Sequence, residues 1–399
     1  MSHFPIDVIV AGHICLDIIP TFSSTSKHRI QDILTPGRLV NVKRAAVSTG
    51  GQVSNVGIAL HKLGVRTKLI GKIGDDFFGS GILDLLKIID ADDGMTVIPG
   101  EQTSYSIVLA IPGIDRMFLH NPGANDSFQA SDINYDMVKQ ARLFHFGYPP
   151  VMQTMYQNNG EELIKMYKRV KNLGVTTSLD MCLPDASSES GQVDWDALLQ
   201  RLLPYVDIFI PSIEETVYML YAEQYTELNQ LAGEKDILDY LDMDIFLPYI
   251  VDTCLDYGTK IAAIKCGTRG IYIKTKDAKT LSDMGHAQPA DPENWGNREL
   301  LRESYQIEPI ASATGAGDSS VAGFLAALLR GESIERALQM ACAAGAMNVQ
   351  EFDAVSGIKS LEETLDFIEN PPLLNKLDIR NPIWRFDDQK ELWSIGKSV

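Results

Sequence analysis

Cysteine is scarce in this chain and has no pairing pattern. Five occur in 399 residues, Cys15, Cys182, Cys254, Cys266 and Cys342, and no two form a CxxC pair. An odd, widely spaced set argues against a disulfide framework and against a zinc ribbon; it fits buried thiols in a reducing compartment. HxH and HExxH spacings are absent, so no transition-metal site is expected. No apolar run approaches the ~20 residues that span a bilayer. The N-terminal region lacks a basic stretch and carries Asp7 and Asp17 around its apolar run, so no signal peptide is expected and a cytoplasmic setting is. Positive charge is in deficit: 35 Lys and Arg face 53 Asp and Glu, a net charge of −18. Polyphosphate backbones would be repelled, so neither nucleic acid nor membrane is an expected partner. Repeats and low-complexity tracts are absent. So are GxxxxGK[ST] and an early GxGxxG, which argues against a P-loop enzyme and a dinucleotide-binding enzyme.

What remains is an ordinary globular composition, 45% apolar, patterned as alternating strands and helices. Short apolar runs at 6–11, 67–70, 143–146, 175–180, 206–210 and 261–264 predict buried strands. Helical spacing of apolar residues predicts helices near 53–63, 82–89, 161–173, 195–203 and 213–221. Such alternation implies a mostly parallel sheet covered on both faces. Two segments depart from it. Residues 14–49 show no helical period and carry turn signals at Ser23–Ser26 and Pro36-Gly37. Residues 103–123 predict two strands, 104–111 and 116–120, joined at Pro112-Gly113. Together these segments predict a small β lid. Residues 223–244 and 276–305 read as polar insertions, and 381–399 as an extension lying along the surface.

Two glycine clusters carry the chemistry. In Thr314-Gly315-Ala316-Gly317-Asp318 a small-residue loop runs into an apolar helix. Its backbone N–H groups and the helix N-terminus make an anion site, and Asp318 stands beside it. A carboxylate there suits proton abstraction from a hydroxyl while the anion site stabilises a transferred phosphoryl group. Helix grammar alone would read Asp318 as an N-cap. In Ser48-Thr49-Gly50-Gly51-Gln52-Val53-Ser54-Asn55 a second glycine turn opens a helix and sets Asn55 one turn in. His13 and His145 flank strand ends and are expected to pack rather than to react.

The two clusters in this order, with Gly64 and Gly71-x-x-Gly74-Asp75-x-x-x-Gly79 between them, resemble the paired signatures of the ribokinase-like (PfkB) carbohydrate kinase family. Further similarities are Gly12-x-x-x-x-Asp17, Gly113-x-Asp115-Arg116, Pro211-x-x-x-Glu215 and Lys265-x-Gly267-x-x-Gly270. The resemblance implies an α/β three-layer sandwich, a single kinase domain over 1–399 with lid segments 14–49 and 103–123. It implies an ATP- and Mg²⁺-dependent kinase acting on a hydroxyl of a small sugar, sugar acid or related alcohol. Asp318 is then the base, and Gly315, Ala316 and Gly317 supply the anion hole. Asp17, Gly51, Asn55 and Arg116 bind substrate; Thr314, Lys265, Gly267 and Gly270 line the nucleotide side; Glu215 orders water around the metal. The lid edge is a candidate homodimer surface. Two positions depart from the family pattern. Ser212 replaces the amide of an Asn-x-x-Glu motif, and Ser312 replaces an Asp that helps hold a monovalent cation, so activation by such a cation stays open. The alternative to an enzyme is a catalytically weak, kinase-like binding or regulatory protein.

Overall fold

The computed structural model describes residues 4–22, 30–111, 116–233, 235 and 237–395. The expected turn at Ser23–Ser26 and the joint at Pro112-Gly113, with Asp115, lie outside them. Fifteen strands occur among the described residues. They are β1 (Ile6–Gly12), β2 (Cys15–Pro20), β3 (Ala45–Gly50), β4 (Thr67–Gly74), β5 (Met95–Ile98), β6 (Tyr105–Leu109), β7 (Met117–Asn121) and β8 (Ala141–Gly147). They continue with β9 (Thr176–Asp180), β10 (Ile208–Phe209), β11 (Ile261–Lys265), β12 (Ile271–Thr275), β13 (Glu299–Arg302), β14 (Trp384–Asp387) and β15 (Leu392–Ile395).

Eleven strands form one sheet in the order β14-β15-β13-β12-β11-β10-β9-β8-β1-β4-β5. It is parallel from β11 through β5 and antiparallel from β11 outward to β14. The strands read as continuous apolar runs because both faces are covered. Val8, Val10, Ile261 and Ala263 enter one core with helices Gln52–Lys62, Ala316–Arg330 and Ile334–Asn348. Ile9, Ala11, Ala262 and Ile264 enter the other, with helices Gln153–Lys171, Trp195–Leu202, Ile213–Leu220 and Met243–Asp256. This is the three-layer sandwich expected from the sequence.

The second sheet has the order β3-β2-β6-β7 and is the expected lid. Its pleat separates two rows. Ser48, Asp17, Ser106 and His120 are register partners across the four strands, and Val47, Ile18, Ile107 and Leu119 form the adjacent row. Successive residues face opposite sides, so the polar row lies on one face and the apolar row on the other. Where the chain passes from β1 to the lid, the Asn125 amide clamps Ile14. Its Nδ2 donates to the Ile14 carbonyl at 2.9 Å, and its Oδ1 accepts the Ile14 N–H at 3.3 Å.

Three expectations need correction. Residues 30–33, inside the segment read as free of helix, form a helical turn, Ile30–Ile33. Residues 276–305 are core rather than insertion: β13 joins the main sheet, and Trp295 is fully buried with its ring 5.8 Å from Phe324. The tail does not simply lie on the surface. Its strands extend the main sheet, β15 pairing with β13 and β14 with β15, and so cover an edge of β13 that would otherwise be open. Glu335 fixes this addition, accepting from Arg298 and Lys390 at 2.8 Å each and from Asn294 at 3.1 Å.

Candidate active site

Strands β1, β8 and β9 end level with one another. Gly12, Gly147 and Asp180 are register partners across β1, β8 and β9, and Ser212 bridges Lys265 at the tip of β11. Ligand sites of open α/β sheets lie at these strand ends. The segments that leave them bring the two glycine clusters together.

Asp318 lies in the first turn of Ala316–Arg330 and is 3% exposed. Its Oδ2 accepts from Asn55 Nδ2 at 2.8 Å, and its Oδ1 accepts from Tyr148 Oη at 2.8 Å. Asn55 and Asp318 are 263 residues apart in the chain, so this contact joins the two motifs directly. The Asn55 Oδ1 is buried and has no hydrogen-bond partner among the described residues, which leaves an acceptor for a ligand hydroxyl. Burial pushes the Asp318 carboxyl above its ordinary value; the Lys265 charge and the bonds from Asn55 and Tyr148 oppose that rise.

The glycines are dictated by contact as well as by φ. Gly51 has φ +82°, and a Cβ there would stand 2.5 Å from His13 Nδ1; a Cβ on Gly50 would stand 2.2 Å from Asp17 Oδ2. Gly315 has φ +75°, and its Cβ would lie 2.4 Å from the Ala354 carbonyl oxygen. Of the three N–H groups expected to form an anion hole, one is already bonded. The Ala316 N–H already turns back to Ala313 O at 3.2 Å, whereas no acceptor among the described residues takes the Gly315 or Gly317 N–H. Thr314 is held on both sides: its N–H donates to Ser312 Oγ at 3.0 Å, and its carbonyl accepts from Asn348 Nδ2 at 2.9 Å.

Lys265 was expected on the nucleotide side. Its Nζ contacts both oxygens of buried Asp180, at 2.6 and 2.7 Å, and lies 3.7 Å from the position of a Gly317 Cβ. It therefore stands beside the loop 314–318 as half of a buried ion pair. Burial raises Asp180, and Lys265 opposes it. Glu215 is raised by burial too, again opposed by Lys265 and by bonds from Ser212. Ser212 and Glu215 form a capping box: the Ser212 N–H donates to Glu215 Oε2 at 2.7 Å, and the Glu215 N–H donates to Ser212 Oγ at 3.2 Å. Ser212, standing where the family pattern has an amide, thus uses its hydroxyl to cap this helix. Gly267 has φ +57° and open space around it, whereas a Cβ on Gly270 would stand 1.9 Å from the Arg302 carbonyl oxygen. Packing against β13 is enough to require Gly270.

On the lid side, burial raises the Asp17 carboxyl to about 6, with Cys15, Ser106 and the charge of Arg116 opposing it. The Arg116 guanidinium donates to the carbonyl of Phe352, tying the lid to the loop against which Gly315 packs. His145 is a core residue: its ring meets Gln52 and, at 2.9 Å, Ser178 Oγ, and burial lowers its pKa to about 3. Tyr148 and Asp180 are the two site residues that sequence reasoning did not single out. Asp180 ends a predicted strand. Tyr148 follows a strand-end glycine and holds a left-handed backbone, φ 65°, which a bulky residue adopts only when its surroundings compel it.

The fold and the strand-end site define a ribokinase-type α/β sandwich. Ribokinase from Thermotoga maritima superposes with a TM-score of 0.65 at 17% identity, covering 92% of this chain and 100% of that one. Arabidopsis thaliana ribokinase, solved with ribose and ATP, gives 0.64 at 20% identity, covering 91% and 98%. Residues 7–361 match the pfkB family carbohydrate kinase profile, and the chain belongs to that family. It is a carbohydrate kinase. A probable chloroplastic fructokinase-6 of Arabidopsis thaliana is 25% identical over 372 residues, covering 89% of this chain and 80% of the relative. Fructokinase-2 of Solanum habrochaites is 23% identical over 379 residues, covering 91% and 96%. Among the described residues no helix is long and apolar enough to cross a membrane.

Because Gly315 combines a left-handed backbone with a close carbonyl, Gly315→Ala is expected to destabilise the fold by more than about 1 kcal/mol. A urea titration that gives an unchanged midpoint would contradict this account of the loop.

Proposed function

We propose that the chain transfers the γ-phosphoryl group of ATP to a hydroxyl of an unphosphorylated sugar, with fructose the first candidate. The observation that carries this reading is the Asn55–Asp318–Tyr148 cluster set against the anion loop. The fructokinases among the relatives and the ribokinase folded alike support a sugar acceptor. Asp17, the open Asn55 Oδ1 and Asp318 are acceptors suited to the hydroxyls of a neutral polyol.

In this reading the sugar hydroxyl lies against Asp318. The carboxylate takes the hydroxyl proton as the oxygen attacks, and the raised affinity of Asp318 for protons makes it a stronger base than an exposed aspartate. Asn55 and Tyr148 fix its two oxygens, so orientation is set before substrate arrives. The Gly315 and Gly317 N–H groups face the charge that develops on the transferred group, with the dipole of helix Ala316–Arg330 behind them. Asp17, Gly51 and Asn55 hold the sugar, Arg116 closes the lid side, and Thr314, Lys265, Gly267 and Gly270 border the nucleotide. ATP bound with Mg²⁺ supplies the phosphoryl group and screens its charge. Glu215 and Asp180 offer carboxylate oxygens that suit the waters Mg²⁺ keeps. Ser312 presents a hydroxyl where a carboxylate would hold a monovalent cation, and no such site is assigned. The intact base and loop favour an enzyme over a binding or regulatory protein.

Asp318→Asn is expected to lower kcat by ~10²–10⁴-fold. The folded pKa of Asp318 lies above its unfolded value, so the ionised group opposes folding above the unfolded pKa. Removing the charge should leave Tm unchanged or higher at neutral pH. Near-normal turnover in that variant would sink the base assignment. Tyr148→Phe deletes a bond that lowers the Asp318 pKa, so the acid limb of the kcat/KM profile should move to higher pH. An unmoved limb would place Tyr148 outside the mechanism. The exposed apolar residues Val47 and Leu119, in one row of the lid, support pairing of two copies through it. Sedimentation should then show a dimer that Leu119→Glu converts to a monomer; a wild-type monomer would refute lid pairing.

A further inference from the structure

We propose that His13, Cys15 and His120 form a binding site for a soft divalent transition metal of the zinc class, at the hinge between core and lid. It rests on the preceding reading only in its consequence, that an ion there blocks the sugar. The residues share no spacing motif, and the lid register assembles them. Cys15 and Asp17 alternate on β2, so they point to one side of that strand, and His13 lies in the short link between β1 and β2. Asp17, Ser106 and His120 are register partners on β2, β6 and β7, which puts the His120 ring on that same side.

The ligand atoms of His13, Cys15 and His120 lie within 4.8 Å of one another. The two Nε2 atoms face each other at 3.2 Å. Two imidazole nitrogens bound tetrahedrally to zinc stand roughly 3.3 Å apart, so the rings are already set for one ion. His120 Nδ1 lies 3.0 Å from Ser106 Oγ, a bond that fixes the ring and turns Nε2 toward His13, as outer partners of metal-bound histidines do. His13 and Cys15 are buried while His120 is exposed, which gives an ion a route in from the lid side.

The chemistry selects the ion. Two imidazoles and a thiol suit zinc-class metals, whereas Mg²⁺ prefers oxygen ligands and would not compete. Imidazole binds a metal through a neutral ring nitrogen, and each histidine offers one. Binding breaks the Cys15 S–H bond and forms a sulfur–metal bond with no change of oxidation state. The proton passes to Asp17 Oδ1, 3.3 Å from the sulfur, or to solvent. Three protein ligands leave a fourth position open. Cys15 Sγ lies 3.3 Å from Asp17 Oδ1 and Gly51 packs against His13, residues proposed to hold the sugar, so an ion on this cluster acts as an inhibitor competing with sugar and not with ATP.

Cobalt(II) is the probe, titrated into the chelator-treated full chain without sugar or nucleotide. The expected result is one bound equivalent with a thiolate-to-cobalt charge-transfer band that zinc abolishes by displacement. Cys15→Ser should lose the band, and His120→Ala, at an exposed position, should weaken cobalt binding by at least ~10-fold. Circular dichroism checks that both variants are folded. No binding, binding without the band, or a band retained in Cys15→Ser overturns the site. Zinc inhibition at saturating ATP and Mg²⁺ should be relieved by added sugar and lost in Cys15→Ser; inhibition that persists in that variant overturns the blocking role. A chain that binds cobalt but phosphorylates no sugar refutes the kinase reading alone. An active kinase that binds no cobalt refutes the metal site alone.

Discussion

The site depends on keeping one buried carboxylate in a fixed orientation. Asp318 is nearly free of solvent, so its charge is costly unless neighbours answer it. Asn55 and Tyr148 do so with one hydrogen bond per oxygen, and Lys265 adds a charge from the tip of β11. These groups come from four separate parts of the chain. Only a parallel sheet with its strand ends level brings them to one point. The level register of Gly12, Gly147 and Asp180 helps set where these groups meet.

Close approach is the second constraint. Backbone and side chains meet at distances where a Cβ cannot fit, between Gly50 and Asp17, Gly51 and His13, and Gly315 and Ala354. The first two press the entry to the lid against the opening of helix Gln52–Lys62. The third presses the loop after residue 348 against the anion loop. Arg116, reaching the Phe352 carbonyl, ties that loop to the lid. The lid, the opening of helix Gln52–Lys62 and the loop 314–318 are thus mechanically joined by small residues and one cation.

Much of this was legible in the residues. Both cores could be inferred from continuous apolar strands such as β1 and β11, because burial on two faces removes the usual alternation. The lid was legible as strand patterns without helical period. Asp318, Asn55 and the paired glycines were legible from local composition and the family resemblance. Other features depend on register, which no local pattern encodes. Tyr148 and Asp180 gain their roles from which strand ends lie side by side. The cluster of His13, Cys15 and His120 exists only because β2, β6 and β7 pair as they do. Residues 276–305 looked polar, yet they bury Trp295 and supply β13. The tail looked peripheral because its short strands β14 and β15 make sense only beside the open edge that β13 presents.

The account stands or falls on phosphoryl transfer to a sugar hydroxyl. Phosphorus NMR of the chain with Mg²⁺, ATP and fructose, and then with a panel of other free sugars, reads this directly. The account predicts a sugar phosphate ester appearing in step with ADP, one for one. Release of ADP with inorganic phosphate alone, or no ATP consumption with any sugar, would contradict it.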